Sequence, residues 1–580
     1  MIKKLLANVG QYKKDSLLTP VFVAGEVALD VIMPLIMAMM IDQGVEKSNT
    51  SVILKLGALL FLCALIALIF GALGGRTAAI ASAGFARNLR HNLFSRIQDF
   101  SFSNIDRFST SSLITRLTTD VTNVQNAYQM IIRILVRSPL ILIFSLIMIS
   151  LINPQLMLIY LVVLPFLAIG LAIVIHFAHP LFMKVFRIYD KLNNVVQENL
   201  QGIRVVKSYV REEQQEKVFD EVSTDVYKNF TKAQRIVAFN NPLLQISVYT
   251  CMLLLSWFGA QLIVDKSSLT TGELVSMFNY TMQILMSLMM MSMAFVQILI
   301  ARSSAERITE VLSEESDLKN DAKPLYEVTD GSIAFEDVCF SYADDMEKLA
   351  LEHINLSIKS GEVIGLIGGT GSSKSTLVQL IPRLYDVTYG TVKVGGVDVR
   401  KYDLATLRDQ VSMVLQNNVL FTGTIKDNLR WGNETATDEQ LIEACKIAQA
   451  DGFINEFPDK YDTLISQGGN NVSGGQKQRL TIARALLKKP KILILDDSTS
   501  AVDTKTDRAI REGLAKAIPG MTTLIISQRI SSIQDADRIV VLDDGKVNGI
   551  GTHAELLATN QIYQEVYQSQ QKGFGESGNE

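Results

Sequence analysis

The sequence predicts a multi-domain protein in which an all-α domain of six membrane-crossing helices is followed by an α/β domain. Long apolar runs lie almost entirely before residue 302, whereas short β-rich runs alternate with amphipathic helical segments after residue 332. The 580 residues are 48% hydrophobic yet 20% charged. This combination favours one membrane half and one soluble half over a single soluble domain.

Six apolar segments are each long enough, at about 20 residues, to cross a hydrocarbon core of roughly 30 Å. They are Leu17–Ile41, Val52–Gly74, Ile131–Ile152, Leu156–Phe177, Pro242–Val264 and Leu274–Ala301. The long segments 76–137 and 184–235 are rich in arginine and lysine, whereas the short connections are almost free of positive charge. The positive-inside rule therefore places the long segments and both termini in the cytoplasm. Helical periodicity over 87–100 and 184–218 predicts that the membrane helices continue into the cytosol.

The remaining composition excludes several classes of protein. A net charge of −4 gives no indication of nucleic-acid binding. The N-terminus has no convincing cleavage site, so no removable signal peptide is expected. Four cysteines lack metal-ligand spacing and are predicted to be reduced thiols. They are Cys63, Cys251, Cys339 and Cys445.

The second half reads as an α/β domain with a largely parallel sheet. Its predicted strands are Val363–Ile367, Gln410–Leu415, Ile492–Leu495, Thr523–Ile526 and Arg538–Leu542. A polar, acidic stretch with a proline and a glycine precedes them and reads as a linker. The predicted boundaries are a transmembrane domain at 1–311, the linker at 312–332, the α/β domain at 333–570 and a flexible tail at 571–580.

A glycine-rich loop between a strand and a helix gives the strongest single signal. It comprises Gly368, Gly369, Thr370, Gly371, Ser372, Ser373, Lys374, Ser375 and Thr376. Glycines let backbone N–H groups turn toward phosphates, close to a helix N-terminus that favours anions. Lys374 supplies positive charge and Ser375 can ligate magnesium. The strict pattern has glycine at position 373, and we expect the serine there to adopt helical backbone values.

A second element strengthens the prediction of a phosphate site. Ile492–Asp496 is an apolar strand that ends in a carboxylate, as in a Walker B strand. Burial of this strand in the sheet would direct Asp496 toward the magnesium shell beside Ser375. The alternative is a core strand with an incidental aspartate.

The stretch Val472–Arg479 contains Ser473-Gly474-Gly475-Gln476, and here the chain resembles the ABC transporter ATPases, whose signature is this tetrapeptide. In the membrane half, Ile105–Phe108 with Leu113–Val121 resembles the first intracellular loop of ABC exporters, and Glu198–Lys207 resembles the second. The resemblance covers nearly the whole chain. It implies a type I ABC exporter transmembrane domain followed by an α/β P-loop ABC ATPase domain.

The resemblance also implies ligands and partners. ATP would stack on Tyr342, and Mg²⁺ would be held by Ser375, Gln416 and Asp496. Ser500–Asp503 matches the D-loop, which crosses to the other subunit. Two ATPase domains would face head to tail, so that Ser473, Gly474, Gly475 and Gln476 bind the nucleotide of the partner.

Two positions that serve hydrolysis depart from the family. Asp497 replaces the glutamate that polarises water, and a carboxylate displaced by about 1 Å can cost ~100-fold in rate. Gln528 replaces the switch histidine, and an amide cannot carry a proton and a positive charge. A third departure, Gln467, weakens a contact expected with the coupling helices.

These departures favour a heterodimer with a second half-transporter, similar to bacterial heterodimeric multidrug exporters. The P-loop of this chain would bind ATP but hydrolyse it poorly, and its signature would complete the site of the partner. A homodimeric lipid or peptide exporter and a nucleotide-gated regulatory subunit remain alternatives. A soluble ATPase does not fit six membrane helices, and an importer normally has a separate ATPase chain.

The expected substrate is a hydrophobic or amphipathic small molecule, exported across a bacterial plasma membrane. The sixth membrane helix is rich in methionines that suit a promiscuous apolar wall or are ordinary lipid-facing residues. They are Met277, Met282, Met286, Met289, Met290, Met291 and Met293, with Asn279, Tyr280 and Gln283 as polar groups near them. Glu26 and Asp30 share one face of the first helix, where they either attract cationic substrates or bond to polar groups on neighbouring helices.

Overall fold

A computed structural model describes residues 1–265, 269–343, 345–498 and 500–576 of the chain. These residues form two compact units. The first unit contains Met1–Gln98 and Thr110–Glu314, and the second contains Asp99–Ser109 and Glu315–Glu580. The last four residues of the predicted tail lie outside the described residues.

Helices make up nearly all of residues 1–313. They are α1 (Ile2–Ala7), α2 (Lys13–Met40), α3 (Thr50–Gln98), α4 (Phe102–Arg107), α5 (Thr110–Thr115), α6 (Val121–Ile152), α7 (Pro154–Gln201), α8 (Ile203–Ser208), α9 (Glu212–Val237), α10 (Asn240–Val264) and α11 (Thr271–Ser313). Within the described residues, six helical stretches are long and apolar enough to span a membrane. The predicted all-α membrane domain is therefore confirmed.

The helical segment predicted over 184–218 contains two interruptions. Helix α7 ends at Gln201, and α9 begins only at Glu212, after the short helix α8. Gly202, a poor helix former, lies at the first break, and Val210 has a positive φ of 50° at the second. Apolar periodicity alone could not locate these turns, since the pattern resumes after each one. The other predicted extension is continuous, because α3 runs to Gln98.

The interior of the first unit is largely apolar, and hydrogen bonds between helices pair several of its buried hydroxyl groups. Tyr160 on α7 lies 2.6 Å from the hydroxyl of Thr281 on α11. Tyr280, which the sequence suggested as a polar group beside the methionine wall, is instead fully buried and donates to the Val31 carbonyl at 2.7 Å. Hydrocarbon offers no water as a partner, so such bonds between helices satisfy groups that burial would otherwise leave unpaired.

The described residues of the second unit form three sheets. Its strands are β1 (Ile333–Phe340), β2 (Leu351–Ile358), β3 (Val363–Gly368), β4 (Tyr389–Val394), β5 (Val397–Asp398), β6 (Val411–Val414), β7 (Gly423–Thr424), β8 (Leu464–Ile465), β9 (Ile492–Asp496), β10 (Thr522–Ile526), β11 (Arg538–Asp543) and β12 (Lys546–Gly551). The main sheet has the order β12-β11-β3-β10-β9-β6 and is parallel except for β12. It contains all five predicted strands. The antiparallel sheet β2-β1-β4-β5 was not predicted.

Helices cover the main sheet and complete the α/β unit. They are α12 (Lys374–Gln379), α13 (Leu404–Gln410), α14 (Ile425–Arg430), α15 (Asp438–Ile447), α16 (Asp451–Glu456), α17 (Gly474–Leu486), α18 (Thr504–Ala517), α19 (His553–Thr559) and α20 (Gln561–Glu576). Alternate residues of β9 enter different cores: Ile492 and Ile494 join one apolar cluster, and Leu493 and Leu495 join the other. Both faces of the parallel sheet are therefore buried, as its near-continuous apolar strands require.

Candidate functional site

The predicted phosphate-binding residues lie at one edge of the main sheet. Strands β3, β10, β9 and β6 are neighbours with parallel directions, so their carboxyl ends meet at the same edge. The glycine-rich loop follows β3, Ser527 and Gln528 follow β10, and Asp496 is the last residue of β9. Gln416 lies two residues beyond β6. The strand order brings these residues to one edge from four separate parts of the sequence.

Lys374 is held against the loop that precedes it. Its ammonium group donates to the carbonyls of Gly368 at 2.9 Å and Gly369 at 2.7 Å, and to the Ser372 hydroxyl at 3.1 Å. A Cβ at Gly368 would lie 2.1 Å from the Leu542 carbonyl oxygen, so only glycine fits there. Gly371 has a φ of +87°, which glycine adopts without strain.

Ser373 corrects one expectation. It is the residue before α12 and has φ 65° and ψ 27°, which is left-handed rather than right-handed helical backbone. The family pattern places glycine here because the loop turns through a conformation that a Cβ opposes. The loop of this chain therefore keeps the required geometry at the cost of local backbone strain.

Ser375 and Asp496 form an oxygen-rich pair suited to a metal ion. The Ser375 hydroxyl donates to Oδ1 of Asp496 at 3.0 Å. Hydroxyl and carboxylate oxygens are hard ligands of the kind Mg²⁺ prefers, and Gln416, whose side chain is exposed, could add an amide oxygen. These residues fit the implied magnesium ion.

The charges around this pair interact. Burial raises the pKa of the Asp496 carboxyl, and the nearby Asp497 charge raises it further, whereas the Ser375 hydrogen bond and Lys374 lower it. Burial lowers the pKa of Lys374, and the carboxylates of Asp496 and Asp497 oppose that shift. The site thus holds buried charges that a polyanion and its cation would complement.

The two positions at which the sequence departs from the family pattern, Asp497 and Gln528, also lie at this edge. Asp497 has a φ of 48° and donates its backbone N–H to the Ile526 carbonyl at 3.0 Å, which fixes it beside the end of β10. Aspartate tolerates left-handed backbone better than most residues. The Gln528 side chain is exposed, and it lies two residues after Ile526, whose carbonyl Asp497 contacts.

Tyr342 lies close to the helix that follows the phosphate loop. Its hydroxyl and that of Thr376 are 2.9 Å apart, and its ring meets Phe340 edge-on with 4.9 Å between centroids. The side chain is nevertheless 55% exposed. An aromatic ring fixed on one side and open on another could stack on a nucleobase.

The signature residues form the start of α17. Ser473 caps the helix by accepting from the Gln476 N–H, and the Gln476 side chain accepts from the Ser473 N–H at 2.9 Å. A Cβ at Gly475 would lie 2.9 Å from the Ala501 carbonyl oxygen. The signature therefore packs directly on the segment that the sequence identified as a D-loop.

Two further residues near this segment were not predicted as functional. Gln478 donates to the Ser500 hydroxyl at 3.2 Å and accepts from the Ala501 N–H at 3.0 Å. Arg529 donates to the carbonyls of Ser500 at 3.1 Å and Val502 at 3.3 Å. Gln478 lies within the signature stretch Val472–Arg479 and Arg529 follows Gln528, but motif spacing alone does not identify what a side chain contacts.

In the first unit, the acidic pair on α2 has an arginine partner. Arg137 on α6 contacts Oε1 of Glu26 and Oδ2 of Asp30, each at 2.9 Å. Gln283 on α11 donates to the Asp30 backbone carbonyl at 3.2 Å. The contacts support the interpretation that these carboxylates bond to polar groups on neighbouring helices.

Comparisons with known proteins agree with this arrangement. Residues 17–311 match the family model described as ABC transporter transmembrane region, and residues 351–500 match the one described as ABC transporter. The uncharacterized ABC transporter ATP-binding protein YfiB of Bacillus subtilis is 36% identical over 579 residues, with 100% of each chain covered. The similarly described YknU of the same organism is 37% identical over 486 residues, covering 83% of this chain and 82% of that one.

A solved structure has the same fold. It is described as a bacterial Atm1-family ABC exporter with ATP bound, and it matches with a TM-score of 0.83 at 22% identity. The match covers 97% of this chain and 98% of the other. At that identity the likeness concerns the fold.

Proposed function

Because this chain belongs to the ABC transporter family and joins a transmembrane region to an ATPase domain, we propose that it is one subunit of a heterodimeric ATP-driven exporter. It is a multi-pass membrane protein whose family membership implies ATP binding, generally with Mg²⁺. The finer proposal is that its own site retains ATP, while its signature serves the site of a partner. One observation carries this proposal: the ATP-holding residues are intact beside two altered hydrolytic residues.

Retention of ATP follows from the residues that remain. Lys374 and the loop amides bind phosphate oxygens, and Tyr342 offers a ring for adenine. Magnesium, when bound, neutralises phosphate charge, and Ser375 and Asp496 are already adjacent to hold it.

Poor hydrolysis follows from the residues that have changed. The Asp497 carboxylate is one methylene short of the position from which glutamate orients water. Gln528 can donate a hydrogen bond to the γ-phosphate but brings no positive charge to the transition state. Binding and turnover are therefore separated at this site.

The heterodimer follows from the intact signature. Ser473 caps α17, and Gln478 and Arg529 bond to the D-loop beside it, so hydrogen bonds support the surface that would complete a second site. A homodimer would contain two altered sites and little ATPase activity to drive transport. A partner with the usual glutamate and histidine would supply the hydrolysis that this chain lacks.

The proposed cargo is an amphipathic or hydrophobic compound, with multiple drugs as the leading class. Met282, Met286, Met290 and Met293 are exposed and lie on one face of α11, at spacings of four, four and three residues. Flexible thioethers adapt to molecules of different shape. The long basic segments, both termini and the ATPase domain would be cytoplasmic in a bacterial cell with this chain in the plasma membrane. ATP binding would switch the membrane domain from inward-facing to outward-facing.

ATPase measurements on purified protein test the proposal. The full-length chain in lipid nanodiscs should bind ATP but release phosphate at close to the background rate, and co-assembly with its partner half-transporter should restore turnover. Lys374→Ala in the complex is the control for the site of this chain. Robust turnover by the chain alone would support a homodimeric exporter, and ATP binding without turnover in any complex would support a nucleotide-gated regulatory subunit.

A further inference from the structure

The C-terminal helix reaches back to the loop that carries the altered switch residue. The Gln570 side chain on α20 donates to the Gln528 carbonyl at 2.7 Å and accepts from the Ile530 N–H at 3.0 Å. One amide therefore binds the backbone on both sides of Arg529. This contact joins residues about 40 positions apart in sequence, and no motif indicated it.

Helix α20 is well anchored, so it can act as a fixed support. Tyr563 is fully buried, and its hydroxyl lies 2.6 Å from Nδ1 of His553 on α19. Val566 and Tyr567 pack against the apolar core of the second unit. A side chain presented from an anchored helix positions its partner more tightly than one presented from a free loop.

The loop held by Gln570 also holds the D-loop. Arg529 lies between the two backbone groups that Gln570 binds, and its guanidinium donates to the carbonyls of Ser500 and Val502. A displacement of the loop would therefore move Arg529 and the segment it supports. The two Gln570 hydrogen bonds therefore constrain both the switch position of this chain and the surface that it would offer to a partner.

A fixed backbone position matters more for glutamine at position 528 than for the usual histidine. A histidinium attracts phosphate through its charge, which tolerates small displacements. The neutral Gln528 amide relies on a hydrogen bond, which weakens steeply with a poor angle or a long distance. An amide at this position needs a backbone that is fixed in place.

We propose that Gln570 is a positioning residue that fixes the switch loop and so prolongs ATP retention in the site of this chain. The effect on ATP retention rests on the function proposed above, whereas the restraint of the switch-loop backbone by Gln570 does not. Because the Gln570 side chain links α20 to the backbone of the switch loop, the C-terminal helix becomes a control element for nucleotide release.

The test uses the full-length chain in nanodiscs and three variants. Gln570→Ala removes both bonds, and Gln570→Glu keeps the acceptor for Ile530 but loses the donor. Gln571→Ala is the matched control, since Gln571 bonds to Tyr567 within the same helix. The readouts are release of a fluorescent ATP analogue and hydrogen exchange of the Ile530 amide, with the Leu524 amide of β10 as an internal reference.

Gln570→Ala should speed analogue release and Ile530 exchange roughly two- to tenfold, the range expected for the loss of a net hydrogen bond. Gln570→Glu should be intermediate, while Gln571→Ala and the Leu524 amide should match wild type. Wild-type release from Gln570→Ala, or equal effects of both alanine variants, would overturn the proposal. If the wild-type chain binds no ATP, the role of Gln570 in ATP retention and the proposed function both fail. Faster Ile530 exchange in Gln570→Ala would then support only the restraint of the switch-loop backbone.

Discussion

Replacing Ser373 with glycine should stabilise the second unit. Left-handed backbone at a residue with a Cβ costs about 1–2 kcal/mol, and Ser373 has a φ of 65°. Glycine removes that cost, but its greater freedom in the unfolded chain takes back about 0.5–1 kcal/mol. The expected net gain is about 0.5–1 kcal/mol, which corresponds to a rise of about 1–4 °C in the melting temperature of a unit of this size.

Thermal unfolding of the full-length protein without nucleotide measures this gain. Ser373→Ala keeps the Cβ and should melt like wild type. Ser372→Gly, at the adjacent position, relieves no positive φ and removes a hydroxyl that accepts from Lys374 at 3.1 Å, so it should lower the melting temperature. A Ser373→Gly protein that melts at or below the wild-type temperature would refute the strain argument, as would equal stabilisation by Ser372→Gly.

Three further predictions follow from the geometry. Asp497→Glu should raise phosphate release from the site of this chain about 10- to 100-fold, measured in a complex whose other site has been inactivated. At a φ of 48° the substitution should also cost about 0.5–1 kcal/mol of stability. Unchanged turnover would contradict the argument that the Asp497 carboxylate is too short to orient water. Arg137→Ala should destabilise the first unit by about 2–4 kcal/mol because it removes the cation that pairs with Glu26 and Asp30. A variant in which Arg137, Glu26 and Asp30 are all replaced by neutral residues should recover much of that loss in a melting assay. Because burial raises the pKa of Asp496, ionisation of this carboxyl destabilises the folded state, and that loss of stability develops as pH rises through the raised pKa. Asp496→Asn should therefore raise the melting temperature of the nucleotide-free protein at neutral pH and change it little at acidic pH. The same substitution should abolish stabilisation by Mg-ATP.

Much of the fold could be predicted because its signals are local. The strands of the main sheet are buried on both faces, so runs such as Ile492–Leu495 are apolar at every position, and five strands stand out in the sequence. The membrane helices stand out through length and hydropathy. The antiparallel sheet was not predicted, since buried and exposed positions are mixed along β2 and the pairing of β1 with β2 has an irregular register.

The chemistry of the site was predictable as residue types but not as contacts. The Lys374, Ser375 and Asp496 positions follow from motif spacing, and the strand order brings them together. The handedness of Ser373 could not be read from its identity, because serine occupies both kinds of backbone. Arg137 and Gln570 were missed because their partners are distant in sequence, and neither carries a local signature.

The most direct test of the central claim identifies the nucleotide that each subunit holds during turnover. The complex would be given 8-azido-ATP labelled on the α-phosphate, crosslinked after limited turnover, and each subunit would be separated and its bound nucleotide analysed. The account predicts mostly triphosphate on this chain and diphosphate on its partner. Diphosphate on this chain in the same proportion as on the partner would contradict it.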